Sequence, residues 1–140
     1  MCGPGFVGRP ADASDLAGVA AVAAETGAAL PDAQGYLAGG RLLVAVSAGD
    51  VIGFVAVGEP DEGGVAGLVG PAVGAAGFGL GVEKALLRRA ADEAAARGVR
   101  ALRAAVPAGD PVRAQALIDQ GFHRTPEADA PGRSAFTRTL

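Results

Sequence analysis

A glycine-rich stretch at residues 70–81 is the segment whose residue types most clearly suggest chemistry, since five of its twelve positions are glycine. The apolar run Val65–Val69 before it indicates a buried strand, and apolar residues recur at helical spacing from Val82 to Arg97 after it. A strand, a glycine loop and a helix in this order present free backbone N–H groups and a helix dipole to an anion. Glycine also lets phosphate oxygens approach the backbone closely. The stretch therefore predicts a phosphate-binding loop, although spacer glycines in a chain with 23 of them give the same pattern.

Acid–base and metal chemistry have few candidate side chains. His123 is the single histidine, and it is either an acid–base group or a structural or exposed side chain. One histidine and one cysteine do not make a metal site, so no metal is expected. Cys2 has no partner for an internal disulfide, which favours a reducing, cytoplasmic setting.

Length and composition limit the class of protein. The 140 residues predict a single domain over residues 1–140, and with 50% apolar but only 4% aromatic residues its core is expected to consist of Ala, Val and Leu. No apolar run approaches the roughly 20 residues of a membrane span, and no signal peptide opens the chain. We therefore expect a soluble protein with no membrane partner.

Charge is distributed unevenly along the chain. Residues 1–83 hold two basic and nine acidic residues, a net charge of −7, and residues 84–140 hold ten basic and six acidic residues, a net charge of +4. The sequence pI near 5.0 argues against a nucleic-acid partner. The basic half suits a small phosphorylated ligand, or it reflects solvated helix faces.

Apolar periodicity and turn residues predict the elements that position these groups. Ser14 is expected to cap the first helix, Ser47–Asp50 to turn a hairpin, and Asp110 with Pro111 to start the last helix. The order β-α-α-β-β-β-α-β-α-β-β predicts an α/β domain with a mixed sheet flanked by helices. The predicted strands are Phe6–Pro10, Leu42–Val46, Val51–Val57, Val65–Val69, Val99–Val106, one opened by Gly121-Phe122, and Ser134–Thr139; the predicted helices follow Ser14 as far as Gly27, span Pro31–Leu37 and Val82–Arg97, and run from Asp110 to Ile118 or Asp119.

This order and its landmark residues resemble the GNAT superfamily of acyl-CoA-dependent N-acyltransferases over essentially the whole chain. No single motif is specific, but their order and spacing are. The segments that carry the resemblance are Arg9–Asp15, Val69–Ala72, Ala85–Ala90, Ala96–Val99, Val106–Asp110 and Gly121-Phe122.

The resemblance implies a cofactor site as well as a fold. In the family, acyl-CoA lies where two parallel strands splay apart, here Val65–Val69 and Ala101–Val106, and the glycine loop holds its pyrophosphate. The acceptor amine attacks the thioester directly, so the enzyme mainly aligns the reactants and manages a proton. The positions implied for acetyl-CoA or another acyl-CoA are Leu68, Val69, Gly70, Gly77, Gly79, Gly81 and Val82.

The loop departs from the family pattern Gln/Arg-x-x-Gly-x-Gly/Ala in each of three registers. Gly74–Gly79 and Ala76–Gly81 keep Gly-x-Gly but lack the Gln or Arg. Phe78–Glu83 best matches the helix length, but it places Phe78 at the Gln/Arg position and the carboxylate of Glu83 at the second glycine. Such a motif is degenerate, and we expect weaker binding of CoA from it because a carboxylate repels the pyrophosphate.

The catalytic residue is not identified by the resemblance. The family often places a tyrosine acid where this chain has Leu117 or Ile118. The remaining candidates are Tyr36, near the region where the family binds acceptors, Glu59 at the start of the strand leading to the loop, and His123. Glu59 sits in a glycine-flanked turn, where solvated carboxylates are also common.

Two functions remain open. One is an N-acyltransferase that acetylates a small-molecule amine with acyl-CoA. The other is a GNAT-like protein that does not use CoA and serves either as a ligand-binding domain or as a small-molecule biosynthetic enzyme using the apolar gap between the strands. In both cases a small molecule is the expected partner, and a homodimer is compatible with an exposed edge strand.

Overall fold

The computed structural model describes residues 5–28, 30–77 and 81–140. The predictions on Cys2, Phe78 and Gly79 lie outside these residues. The strands are β1 (Val7–Pro10), β2 (Leu42–Ser47), β3 (Asp50–Val57), β4 (Val65–Val73), β5 (Ala101–Pro107), β6 (His123–Arg124) and β7 (Arg133–Thr139), and the helices are α1 (Leu16–Thr26), α2 (Ala33–Ala38), α3 (Val82–Ala96) and α4 (Pro111–Asp119).

The seven strands form one mixed sheet in the order β1-β2-β3-β4-β5-β7-β6. Only β4 and β5 run parallel, and every other neighbouring pair is antiparallel. The predicted α/β class, the element order and the mixed sheet flanked by helices are confirmed. Within the described residues, no helix is long and apolar enough to cross a membrane.

Alternating apolar side chains of the central strands build a core on each face of the sheet. On one face Val19 and Val22 of α1 pack with Val44 and Phe54, all buried. On the other face the apolar stripe of α3, which includes the fully buried Leu86 and Leu87, packs against a larger cluster from β2 to β7. Because strand side chains point alternately to opposite faces, one run of small apolar residues serves both cores.

Local signals place the turns and caps of the fold. The β2–β3 hairpin turns at Ala48 and Gly49, whose φ angles of 52° and 85° suit a two-residue hairpin loop. Asp110 caps α4 as predicted, since its side chain accepts a hydrogen bond from the backbone N–H of Arg113 at 3.1 Å. The cap of α1 was predicted wrongly. Asp12 caps a short 3-10 turn that contains Ser14, and α1 follows that turn.

The strand before the glycine segment is longer than predicted. β4 continues from Val69 through Val73, so Gly70-Pro71 belongs to a strand and not to a loop. A β-bulge makes this possible, because residues in a bulge do not need to pair in the ladder and a proline is tolerated there. The penultimate strand also begins later than predicted, at His123, because Gly121 has a φ of 89° that a turn requires.

Candidate active site

The parallel strands β4 and β5 separate after three residue pairs. Val65, Ala66 and Gly67 pair with β5, the last of them opposite Arg103. Beyond this point β4 stays paired with β3 as far as Val73, and β5 stays paired with β7. The two strands therefore diverge toward the end of β4 that leads to α3.

A β-bulge in β4 lies just beyond the point of separation. Phe54 pairs with Ala72 and Ala56 with Val69, so Gly70 and Pro71 together oppose the single residue Val55. Gly70 has a φ of 86°, and a Cβ there would lie 2.8 Å from the Ala72 nitrogen and 3.0 Å from the Phe54 oxygen. Only glycine fits this position, and the bulge bends β4 where it leaves β5.

A cleft of about 610 Å³ opens between the N-terminal turn of α3 and the side of α4. Three of the positions predicted to bind the cofactor, Gly77, Gly81 and Val82, line this cleft. Leu68, Val69 and Gly70 lie instead along the diverging edge of β4, where each is half-buried. Backbone N–H groups of a first helical turn have no partner within the helix, so this wall of the cleft can donate to an anion.

Glu83 places a carboxylate in the same wall. It is half-buried and lines the cleft, and burial raises its pKa above the usual glutamate value. Arg113 of α4 opposes this rise and Asp110 adds to it. A second carboxylate stands near the end of β4, because Glu25 of α1 accepts a hydrogen bond from the backbone N–H of Ala75 at 2.6 Å. No residue pattern near Glu25 predicted this contact, because the two residues lie 50 positions apart in the chain.

A salt bridge connects the two helices that wall the cleft. Lys84 Nζ of α3 lies 3.1 Å from Asp119 Oδ2 of α4. Gln115 Nε2 donates to the other oxygen of the same carboxylate at 2.8 Å. All three side chains line the cleft. Lys84 was not among the predicted site residues, although its place in the first turn of α3 was a signal for a role.

Two of the three predicted catalytic candidates are connected through Arg41. The Arg41 guanidinium carbon lies 5.3 Å from the centre of the Tyr36 ring, and Arg41 Nη2 lies 3.7 Å from Glu59 Oε1. Arg41 and Glu59 line a second cavity, of about 260 Å³, together with Glu93 of α3. A helix rises about 1.5 Å per residue, so Glu93 lies roughly 16 Å along α3 from Val82 at the cleft.

The structure separates His123 from both cavities. His123 is exposed on the edge strand β6, opposite Thr137 of β7, and it lines neither cavity. At the positions where the family often has a tyrosine, Leu117 is buried at 1% exposure and Ile118 is 48% exposed. Neither side chain can donate a proton, so this position of α4 supplies no acid.

Comparison with known proteins identifies the family. Residues 17–122 match the acetyltransferase (GNAT) family. The chain is a member of the GNAT family. No curated protein matches this GNAT protein in sequence.

Solved structures of other GNAT proteins share its fold. A GCN5-related N-acetyltransferase from Kribbella flavida is 25% identical, with 97% of this chain and 98% of that chain covered and a TM-score of 0.76. The ribosomal-protein-alanine N-acetyltransferase from Brucella melitensis is 24% identical, with 96% and 99% covered and a TM-score of 0.76. YncA from Salmonella typhimurium, solved with its cofactor acetyl-CoA, is 20% identical, with 97% and 94% covered and a TM-score of 0.75.

The donor groups of the cleft fit part of such a cofactor. The glycine-lined floor and the first turn of α3 suit a diphosphate, and Lys84 adds a cation at the mouth. Glu83 works against this fit because a carboxylate beside a diphosphate is repelled. A cation and a carboxylate thus stand next to each other in the wall of this cleft.

Proposed function

We propose that this GNAT protein transfers an acetyl or other acyl group from acyl-CoA to a small-molecule amine. The observation that supports this best is the divergence of β4 from β5 after Gly67 and Arg103, beside the open N-terminal turn of α3. An extended cofactor needs such an unpaired strand edge for its amides and a helix N-terminus for its phosphates.

Specific residues of this chain would hold the cofactor. Leu68, Val69 and Gly70 lie on β4 beyond its last pair with β5. Those of their backbone groups that are not bonded to β3 would hydrogen-bond to the amides of pantetheine. Gly81, where an added Cβ would meet nothing within 4 Å, would leave room for the diphosphate, and the N–H of Val82 would donate to it. Gly77 lines the same cleft and is proposed to approach the diphosphate through its backbone. Gly79 is also proposed to bind the diphosphate, on the basis of the sequence alone.

For acyl transfer, the protein would need mainly to align the two reactants and to transfer protons. When bound, acyl-CoA supplies an activated thioester, whose C–S bond breaks as a C–N bond to the amine forms. The strand gap would hold the reacting carbonyl and exclude water from it. A base must accept a proton from the amine and an acid must return one to the sulfur, and Tyr36, Glu59 and His123 remain the proposed candidates.

Calorimetric titration with acetyl-CoA tests the proposed function. We expect binding in the micromolar range, and an amine screen for acetylation would follow. Gly81→Asp should weaken this binding, whereas Gly98→Asp should not. Both glycines have positive φ angles, 76° and 83°, and open space around them, but they flank opposite ends of α3. No binding at millimolar acetyl-CoA would exclude the acyltransferase function.

The second candidate function is a GNAT-fold protein that does not use CoA, either a ligand-binding domain or a small-molecule biosynthetic enzyme. The half-buried carboxylate of Glu83 in the cleft favours it, as does the absence of a proton donor at Leu117 and Ile118. Failure to bind acetyl-CoA, combined with thermal stabilisation by an apolar small molecule, would support this function over the first.

We also propose a cellular location and an oligomeric state for this protein. The single cysteine in the sequence suits the reducing cytoplasm, where we place the protein. The edge strand β1 exposes 62% of Val7, which supports pairing with a second copy. Light scattering at several concentrations would detect such a homodimer.

A further inference from the structure

The salt bridge between Lys84 and Asp119 joins α3 to α4, and both side chains line the cleft. We propose that Lys84 is the cation of the diphosphate site in this chain, and that Asp119 holds it at the cleft mouth until the diphosphate replaces the carboxylate. This inference rests on the proposed function, because it assumes a donor that carries a diphosphate.

The position of Lys84 supports this role. Among the described residues that line the cleft, Lys84 is the only cation, and it stands in the first turn of α3 beside the free N–H groups. The glycine segment before α3 contains no basic residue, so a cation for the diphosphate must come from elsewhere. A lysine has a long flexible side chain with three donors, which lets it reach a nearby phosphate without movement of the helix.

Lys84 can leave Asp119 for a diphosphate at a small cost in free energy. The side chains of Lys84 and Asp119 are 54% and 36% exposed, and exposed ion pairs contribute little to stability. Asp119 keeps the hydrogen bond from Gln115 at 2.8 Å when Lys84 leaves, so its carboxylate is not left without a partner. A diphosphate offers Lys84 more negative charge than one carboxylate, and charge-assisted hydrogen bonds to phosphate are strong.

Charges on the facing elements make the exchange useful. Glu83 adds a negative charge next to Lys84, and Asp119 supplies another from α4. While Lys84 is paired with Asp119, the described residues that line the cleft carry no other positive charge. Thioester donors that carry a diphosphate would therefore bind more tightly because of the exchange, whereas the affinity for thioesters of pantetheine alone would not change.

A double-mutant cycle read by calorimetry tests this inference. CoA and pantetheine are titrated separately into the wild type, Lys84→Met, Asp119→Asn and the double variant. We expect Lys84→Met to lower CoA affinity about tenfold, the loss of one charge-assisted contact, and to leave pantetheine affinity unchanged. Asp119→Asn should raise CoA affinity, and this gain should be larger with Lys84 present than in the Lys84→Met background.

Matched variants separate this role from general charge effects. Arg88→Met removes one positive charge from an exposed residue one turn further along α3 that does not line the cleft, and Lys84→Arg keeps the charge. We expect Arg88→Met to change CoA affinity much less than Lys84→Met, and Lys84→Arg to retain most of the affinity. Thermal denaturation of each variant checks that folding is intact.

Three results would contradict the inference in different ways. Equal losses in Lys84→Met and Arg88→Met would show that Lys84 acts only through net charge. Equal gains from Asp119→Asn in both backgrounds would show simple repulsion by Asp119 and no exchange. If the wild type binds neither CoA nor acetyl-CoA at millimolar concentration, the proposed function itself is wrong and this inference is lost with it.

Discussion

Arg9 and Asp15 form a bidentate ion pair, in which Arg9 Nη1 lies 2.7 Å from Asp15 Oδ2 and Arg9 Nη2 lies 3.0 Å from Asp15 Oδ1. Asp15 is only 6% exposed and also accepts a hydrogen bond from the Asp12 backbone N–H at 2.8 Å. The pair fixes the end of β1 against the start of α1. The segment Arg9–Asp15, which resembles the family's opening, thus has a structural role in this chain.

Asp15→Asn should destabilise the protein by about 1–3 kcal/mol, because it weakens buried hydrogen bonds to a charged group. Arg9 holds the pKa of Asp15 below its usual value, so the pair's contribution is present above the ordinary aspartate pKa and is lost as pH falls through the lowered one. Urea denaturation at several pH values measures both effects. Asp12→Asn is the control, since asparagine can also cap the 3-10 turn. Equal losses in the two variants would contradict a special role of Asp15.

Glu83→Gln should raise CoA affinity, because it removes a negative charge from the cleft wall. In the wild type we expect CoA affinity to rise as pH falls through the raised pKa of Glu83, and this pH dependence should be smaller in the variant. The folded state also keeps the Glu83 proton to a higher pH than the unfolded chain, so this residue lowers stability as pH rises through that interval. Calorimetry across pH, with Glu127→Gln as an exposed control, measures the effect. A pH profile unchanged by Glu83→Gln would contradict it.

Gly70→Ala should destabilise the fold more than Gly109→Ala. Both glycines have nearly the same φ angle, 86° and 88°, but a Cβ at Gly109 meets nothing within 4 Å. The alanine at position 109 should therefore cost only the conformational penalty of about 1–2 kcal/mol. At position 70 the backbone of the bulge must also move, so we expect a larger loss of stability and weaker acetyl-CoA binding. Thermal denaturation and calorimetry compare the two variants.

Tyr36→Phe tests whether the tyrosine hydroxyl transfers a proton. The variant keeps the ring that Arg41 faces at 5.3 Å, so the fold around it should not change. If the hydroxyl acts as the acid, kcat for amine acetylation should fall about 100-fold or more, with little change in KM. Glu127→Gln is the control, because Glu127 is exposed and lines neither cavity. A similar kcat in Tyr36→Phe and the wild type would remove Tyr36 as a candidate.

Local signals in the sequence were sufficient for most of the fold. The Asp110 cap, the Ser47–Asp50 turn and the apolar stripe of α3 each depend on residues close together in the chain, and each was predicted correctly. The continuation of β4 through Pro71 was missed because glycine and proline normally end a strand. A bulge accepts them here, and it depends on the pairing of β4 with β3, which residues close together in β4 do not reveal.

The candidate site was less predictable for the same reason. Gly77, Gly81 and Val82 were predicted together because they belong to one continuous strand–loop–helix segment, and the structure places all three along one cleft. The contact between Lys84 and Asp119 depends on how α3 and α4 pack, and the hydrogen bond from Ala75 to Glu25 depends on α1 reaching the end of β4. Such contacts between distant segments require the tertiary structure.

The brief pairing of β4 with β5 has a consequence for the cooperativity of folding. Three residue pairs join a four-stranded half, β1 to β4, to a three-stranded half, β5 to β7. We expect amide hydrogen exchange to show these halves opening with different free energies in the free protein. A donor that fills the gap as an additional strand would couple them, so its binding should slow exchange far from the contact, out to the edge strands.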